Sequence, residues 1–308
     1  MSLEEGRSNI FEEEHSLQKT ICLSFDVEDW FQVENLRSKF PPETWDDCEV
    51  RVENNTRKIL DLLEKYNVKA TFFVLGWIAD RKPELIKEIH SRGHEIASHG
   101  YGHIINYELS RDEIFEDIRK SKELLERITG DKVVGYRAPN FSVTKDVIDA
   151  LTALKFKYDS SYHPFSGNER YGQLGIDEKG IFKLNENLIE IPMSVWKNKF
   201  FELSIAGGGY FRLYPYPFFR TLTSSYLKKN DYMIMYFHPW EFDPEQPRVK
   251  DLKFSYRFRQ YVGLSNNYNK LSKLIEDSMA RQYMFKKFCD LCNDELQQNT
   301  IWRTESRF

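Results

Sequence analysis

Three carboxylic acids fall within four residues, at Asp26, Glu28 and Asp29, directly after the apolar run Ile21-Cys22-Leu23-Ser24-Phe25. Metal-assisted hydrolysis needs one carboxylate to hold the ion and another to take a proton from water, and this segment can supply both. Side chains alternate along a strand, so Asp26 and Glu28 point to one side. That rule lapses past the strand's end, where Asp29 competes with Glu28 as the metal's carboxylate. His99 and His103 form an HxxxH pair in Ser98-His99-Gly100-Tyr101-Gly102-His103. On a helix the two imidazoles would share a face. The two glycines favour a loop instead, which can also bring the rings together. Alone, the pair reads as two surface histidines. Beside the acids it becomes a two-histidine, one-carboxylate site with coordination positions left for water and substrate. His238 stands between an apolar run and Pro239. A protonated imidazole there can donate to a leaving amine or steady an oxyanion; a strand-end histidine bonded to backbone is the plainer alternative.

The elements that must position these residues are short apolar runs alternating with amphipathic ones. Ile21–Phe25, Ala70–Leu75, Glu95–Ser98, Val133–Tyr136, Phe156–Tyr158, Leu188–Pro192 and Tyr232–Phe237 read as strands. Asn54–Tyr66 reads as a helix, with Ile59, Leu62, Leu63 and Tyr66 on one stripe, and Pro83–Ser91 as another with proline in its first turn. Ser110-Arg-Asp-Glu113 is a capping box opening a helix to about Ile128, stopped by Gly130; Thr144–Leu154 and about 269–297 are also helical. This alternation predicts a parallel sheet flanked by helices, with about seven core strands in a closed or partly closed barrel. In such a barrel the strand ends share one face, so the acids, the histidines and Arg137 converge there. The glycine triplet Gly207–Gly209 allows a close approach of backbone to a ligand, with Arg212 beside it for an anionic group such as a uronate or phosphate; a plain turn reads the same.

The chain has 308 residues, a net charge of −4, 41% hydrophobic and 30% charged residues, which suits one sizeable core. No basic patch with motif-like spacing points to nucleic acid. No run approaches about 18 apolar residues, so no membrane span is expected. The first twenty residues are polar and rich in glutamate, without the apolar centre of a secretory signal; a flexible lead-in and a cytoplasmic protein are expected. Cys289 and Cys292 form a CxxC without a second pair, so free buried thiols are expected in preference to a zinc or redox site. No GxGxxG follows the first strand, which removes the dinucleotide fingerprint. Aromatic residues reach 15% and gather in the loop-like stretches 158–171 and 196–219. Core packing explains them first and stacking on sugar rings second.

Together these motifs resemble, in order, those of the polysaccharide deacetylases with a NodB-homology domain (carbohydrate esterase family four), over roughly residues 20–260. The resemblance implies a distorted (β/α) barrel, usually of seven strands, as a single domain over 21–262, with a helical extension over 263–308 packing on it. It makes Asp26 the general base, Arg137 of Arg137-Ala-Pro139 the group that orients it, and His238 the general acid. His99, His103 and either Glu28 or Asp29 would hold one divalent metal ion, zinc first and cobalt or nickel as alternatives. Val27 separates acids that the family has adjacent, which leaves the metal's carboxylate open. Asp159, Pro139, Tyr210, Arg212 and Trp240 would line the substrate groove. Asp26-Val-Glu-Asp-Trp30-Phe-Gln-Val33, Gly207-Gly-Gly-Tyr-Phe-Arg212-Leu-Tyr-Pro215 and His238-Pro-Trp-Glu-Phe-Asp-Pro-Glu-Gln-Pro247 are similar to a bacterial subgroup tied to exopolysaccharide and surface-glycan biosynthesis. The implied activity is removal of an acetyl group from an N-acetylated sugar in a glycan. The competing readings are a metal-independent amide hydrolase of allantoinase type on the same fold, and a glycan-binding barrel without catalysis.

Overall fold

Every residue of the first strand, β1 (Thr20–Val27), is buried on both faces, as a central strand of a parallel sheet must be. The computed structural model describes residues 18–165 and 180–297. After β1 come β2 (Thr71–Val74), β3 (Glu95–Ser98), β4 (Gly135–Tyr136), β5 (Tyr158–Asp159), β6 (Phe182–Lys183) and β7 (Ile189–Glu190). A hairpin, β8 (Val195–Lys197) and β9 (Glu202–Ser204), precedes β10 (Tyr232–Phe237), and β11 (Met284–Phe285) comes last. The main sheet runs β10-β1-β2-β3-β4-β5-β7-β6. All of its pairings are parallel except the edge pair β6–β7. Seven of these strands, all but the edge strand β6, are those expected from the sequence, and the sheet curls into a half-barrel.

The helices are α1 (Val52–Lys65), α2 (Gly76–Arg81), α3 (Pro83–Ser91), α4 (Arg111–Thr129), α5 (Lys145–Ala153), α6 (Gly208–Leu213), α7 (Tyr216–Leu227), α8 (Phe254–Tyr261), α9 (Leu264–Ala280) and α10 (Phe288–Gln297). Helix α4 begins at the expected capping box on Ser110 and ends at Gly130 in the left-handed region, φ 77°. The stretch from 216 to 219 is helical, where a loop is expected: Pro215 and Pro217 sit at the start of α7, where a missing N–H costs nothing.

Alternation along β1 sorts the core in two. Ile21, Leu23 and Phe25 pack outward with Leu62, Leu63 and the other helix-facing residues. Cys22 faces inward with Phe73, Ala97, Tyr158 and Phe288. Ser24 and Asp26 follow Cys22 on that inner side. The segment after 262 does more than pack on the barrel as a helical extension. Its strand β11 pairs with β1, and Phe288 of α10 reaches the interior, 5.4 Å from the Phe73 ring and 6.0 Å from Tyr158. Buried Glu95 holds α10 there by accepting from the Cys289 amide (2.9 Å) and the Tyr158 hydroxyl (2.8 Å). Both CxxC sulfurs on α10 are free thiols. Most of the lead-in, the end of the extension and part of the aromatic stretch 158–171 lie outside the described residues. No described helix is long and apolar enough to cross a membrane.

Candidate active site

At the end of β1 the chain turns tightly about Val27, where the Glu28 amide donates to the Asp26 carbonyl at 2.9 Å. Asp26 and Glu28 both enter one cavity of about 620 Å³, as strand alternation requires. Asp29 does not. Its carboxylate accepts from the amides of Trp30 (2.8 Å), Arg51 (2.6 Å) and Val52 (2.9 Å). It is thus a buried cap on the positive end of α1, and it is corrected from candidate metal ligand to structural acid. Burial pushes its pKa up to about 6 against these three amides.

Asp26 is held by Arg137, which is fully buried on the inner face. The guanidinium donates to Asp26 Oδ1 at 2.6 Å and Ser24 Oγ at 2.9 Å, and its Nε donates to the Ser160 carbonyl at 3.1 Å. The Phe73 ring lies 4.0 Å beneath it. With one buried carboxylate paired to one buried cation, the geometry of Asp26 is set by the fold.

The segment Ser98–His103 is a loop, as its glycines suggest, with Gly100 at φ 72° and His103 itself at φ 51°. Asp117 of α4, which the sequence reading missed, fixes this strained loop by accepting from the Tyr101 amide (2.7 Å) and the Gly102 amide (2.9 Å). A Cβ at Gly100 would lie 2.7 Å from that carboxylate. Only the i,i+3 and i,i+4 spacing of polar residues on α4 could have pointed to Asp117, and that pattern is shared by every solvated helix face.

His99 Nε2 and His103 Nε2 reach the same oxygen, Glu28 Oε1, at 3.0 and 2.9 Å. The ligand atoms of these three buried residues all lie within 4.8 Å of one another. His99 Nδ1 is 2.8 Å from the Arg137 carbonyl, which can only accept. Nδ1 therefore carries a proton, and in the neutral ring Nε2 aims a lone pair at a carboxylate oxygen. Two acceptors face each other there, an arrangement completed by a cation, with the carbonyl as the partner that orients the ring. Two imidazoles and one carboxylate fit a divalent transition metal. Burial opposes the charge on Glu28, but His103 and His238 hold its carboxyl well below the usual range. Glu28 in turn outweighs burial at His103 and raises it.

His238 ends β10 opposite this cluster, its Nε2 3.9 Å from Glu28 Oε1. The Trp240 indole stacks on its ring at 5.2 Å and 23°. Glu241, absent from the sequence-based site, accepts from the His238 amide at 2.9 Å and lies 3.4 Å from Nδ1. Burial disfavours the imidazolium, yet Glu28 and then Glu241 outweigh it and lift His238 to about 9. Behind Glu241 stands Arg212, its Nε 3.0 Å from Glu241 Oε1. The rest of that guanidinium donates to the carbonyls of Arg259 (3.0 Å), Gln260 (3.3 Å) and Val262 (2.6 Å). Arg212 is therefore spent inside the protein and is corrected from anion binder to strut. The first glycine of α6 has a matching purpose: a Cβ at Gly208 would sit 2.0 Å from Glu241 Oε2.

Tyr210 and Trp240 line the cavity as expected; Pro139 and Asp159 do not. Pro139 turns the chain behind Gly100, and its neighbours Ala138, Asn140 and Phe141 line in its place. Asn140 adopts φ 53°, and its buried Nδ2 lacks a hydrogen-bond partner among the described residues. Asp159 lies in register with Glu190 on the next strand, and burial raises both carboxyls, Glu190 the more. That pair belongs to the floor, with Asp159 accepting from Ser161 Oγ at 2.5 Å.

Residues 42–158 match the family model for polysaccharide deacetylase, and residues 160–288 that of a domain of unknown function (DUF3473). Residues 42–158 belong to a polysaccharide deacetylase domain. Over 101 residues the chain is 37% identical to a peptidoglycan-N-acetylglucosamine deacetylase of Bacillus cereus, covering 33% of this chain and 37% of that protein. A peptidoglycan deacetylase of Helicobacter pylori is 33% identical over 104 residues, 34% of this chain and 36% of that protein. The chain thus spans little more than a third of the length of these curated relatives. A solved structure from Mycobacterium smegmatis, assigned to the polysaccharide deacetylases, superposes with a TM-score of 0.64 over 96% of both chains at 19% identity, and shows the same fold. The deacetylase match ends at β5, so His238, Glu241 and Arg212 all come from the region matching the family without an assigned function.

Proposed function

We propose that this chain hydrolyses the N-acetyl group of an amino sugar within a glycan, using one divalent cation held by Glu28, His99 and His103. Zinc suits two imidazoles and a carboxylate; cobalt and nickel are the alternatives. The observation that carries this reading is that an arginine-fixed carboxylate, a three-ligand cluster and an imidazole supported by a carboxylate border one cavity.

When bound, the cation supplies Lewis-acid polarisation of a carbonyl oxygen and a lowered pKa for water. Asp26, fixed by Arg137, takes the proton from the attacking water. The amide carbon gains that oxygen as its bond to nitrogen breaks. His238, kept protonated by Glu241, gives its proton to the departing nitrogen, leaving acetate and a free amine. Asp26→Asn is expected to lower acetate release from N-acetylated oligosaccharides by about 10²–10⁴-fold while metal content stays at wild-type level. Undiminished turnover in that variant would remove the base role. Cleavage of allantoin, with N-acetylated sugars left intact, would favour the metal-independent alternative.

A further inference from the structure

The catalytic cavity shares a wall with a second one of about 750 Å³. The shared residues are Phe254, Phe258 and Val262 of α8 and its end. Phe254 is 83% exposed and Phe258 46% exposed, and their rings stack at 6.4 Å and 24°. Two large aromatic side chains left in water at the mouth of an acidic, histidine-lined site form a platform for the apolar face of a sugar ring.

The second cavity differs sharply in charge. Residues 248–259 carry Arg248, Lys250, Lys253, Arg257 and Arg259 against one acid, Asp251, in a chain whose net charge is −4. All five cations are exposed, and among the described residues none has a carboxylate within 4.0 Å. The run lacks the spacing of a nucleic-acid motif; Arg248, Lys250 and Arg257 line the second cavity, and Arg259 lines the catalytic one. It is also built in place. The Tyr261 hydroxyl accepts from the Val249 amide at 2.8 Å and donates to the Pro247 carbonyl at 3.1 Å, with Arg248 4.3 Å over its ring. Arg212 grips the carbonyls at the end of α8 and Glu241 beside His238, so the basic face stands at a fixed distance from the reaction centre.

We propose that the face formed by Arg248, Lys250, Arg257, Phe254 and Phe258 is a subsite for the sugars flanking the reacting acetamido sugar, and that it selects glycans whose neighbouring rings carry carboxylates. The proposal rests on the deacetylase reading for its reaction but not for its binding. The rings stack on Phe254 and Phe258, and the carboxylates meet guanidinium groups suited to two-point contact.

The test uses the full metal-loaded chain and two oligosaccharides of equal length, one of N-acetylglucosamine alone and one alternating it with a uronate. Acetate release and calorimetric binding are measured on wild type, Arg248→Gln/Arg257→Gln and Phe254→Ala, all altered at exposed positions. Wild type is expected to favour the uronate chain about tenfold in kcat/KM at low salt, with the preference shrinking as salt rises. The double variant should lose that preference while keeping its rate on the neutral chain, and Phe254→Ala should weaken binding of both. Equal handling of the two chains by wild type, or a preference that survives in the double variant, overturns the subsite. If neither chain releases acetate, the deacetylase reading falls; tenfold weaker binding of the uronate chain by the double variant would still support the subsite, and no binding by wild type would overturn it. Retention on vesicles of anionic phospholipid without oligosaccharide binding also overturns it, making the face a membrane contact.

Discussion

Replacing Glu241 with glutamine keeps the shape of the turn after β10 and removes one charge. In the wild type, Glu241 sits 3.4 Å from His238 Nδ1. A bound cation offsets the Glu28 charge, which leaves Glu241 as the carboxylate that keeps His238 protonated. Two unit charges at that separation interact by about 1 kcal/mol in bulk water and about 5 kcal/mol at an effective dielectric of 20. The His238 side chain is 20% exposed and that of Glu241 1%, so the interaction lies between these limits, with the lower one as its floor, and about 1.4 kcal/mol corresponds to one pH unit. The sign follows from the role: a general acid must carry its proton, so activity falls as pH rises through its pKa. Glu241→Gln should therefore move the basic limb of kcat/KM for acetate release downward by about one unit or more. Activity at pH 6 would change less than activity at pH 9. The assay is a pH–rate profile with thermal melting alongside to confirm a folded variant. A folded Glu241→Gln protein whose basic limb does not move refutes the pairing of Glu241 with His238 as an acid.

Other substitutions separate positioning from structure. Arg137→Met leaves Asp26 buried without its cation, which should cost about 3–5 kcal/mol and lower the melting temperature on the order of 10 °C; adding Asp26→Asn should restore part of that loss, as a double-mutant cycle by denaturation will read. Asp117→Ala strips the acceptor from the Tyr101 and Gly102 amides, and should weaken metal binding tenfold or more through the His99–His103 loop, measured by competition with a chelating dye. Gly208→Ala drives a methyl into Glu241 and should lower kcat far more than it lowers melting temperature; parallel losses in both would mean that Gly208 serves packing alone.

Much of this site could be read from the chain because its signals are local. Asp26 and Glu28 share a side through the alternation of a single strand, and the seven parallel strands announce themselves as apolar runs buried on both faces. What could not be read depends on partners far along the chain. Asp29 looks as good a ligand as Glu28 until Arg51 and Val52, 22 and 23 residues later, bring their amides to it. Arg212 beside three glycines suggests an anion site, and only the fold supplies Glu241 and the carbonyls 47 to 50 residues away that consume its donors. Asp159 ends a strand as the other site residues do, yet its register with Glu190 turns it into the floor. The two-residue β11 carries no periodicity at all; it forms because β1 leaves an edge at Thr20 and Ile21, before its pairing with β2 begins at Ser24.

The most direct measurement is acetate release from an N-acetylglucosamine oligosaccharide by the full chain, first stripped with chelator and then titrated with zinc, cobalt or nickel. The arrangement of Glu28, His99 and His103 predicts no activity in the stripped protein and recovery saturating at about one ion per chain, with His103→Ala neither binding the ion tightly nor recovering. Activity that survives chelation, or full recovery in His103→Ala, would contradict the assignment of this cluster as the metal site.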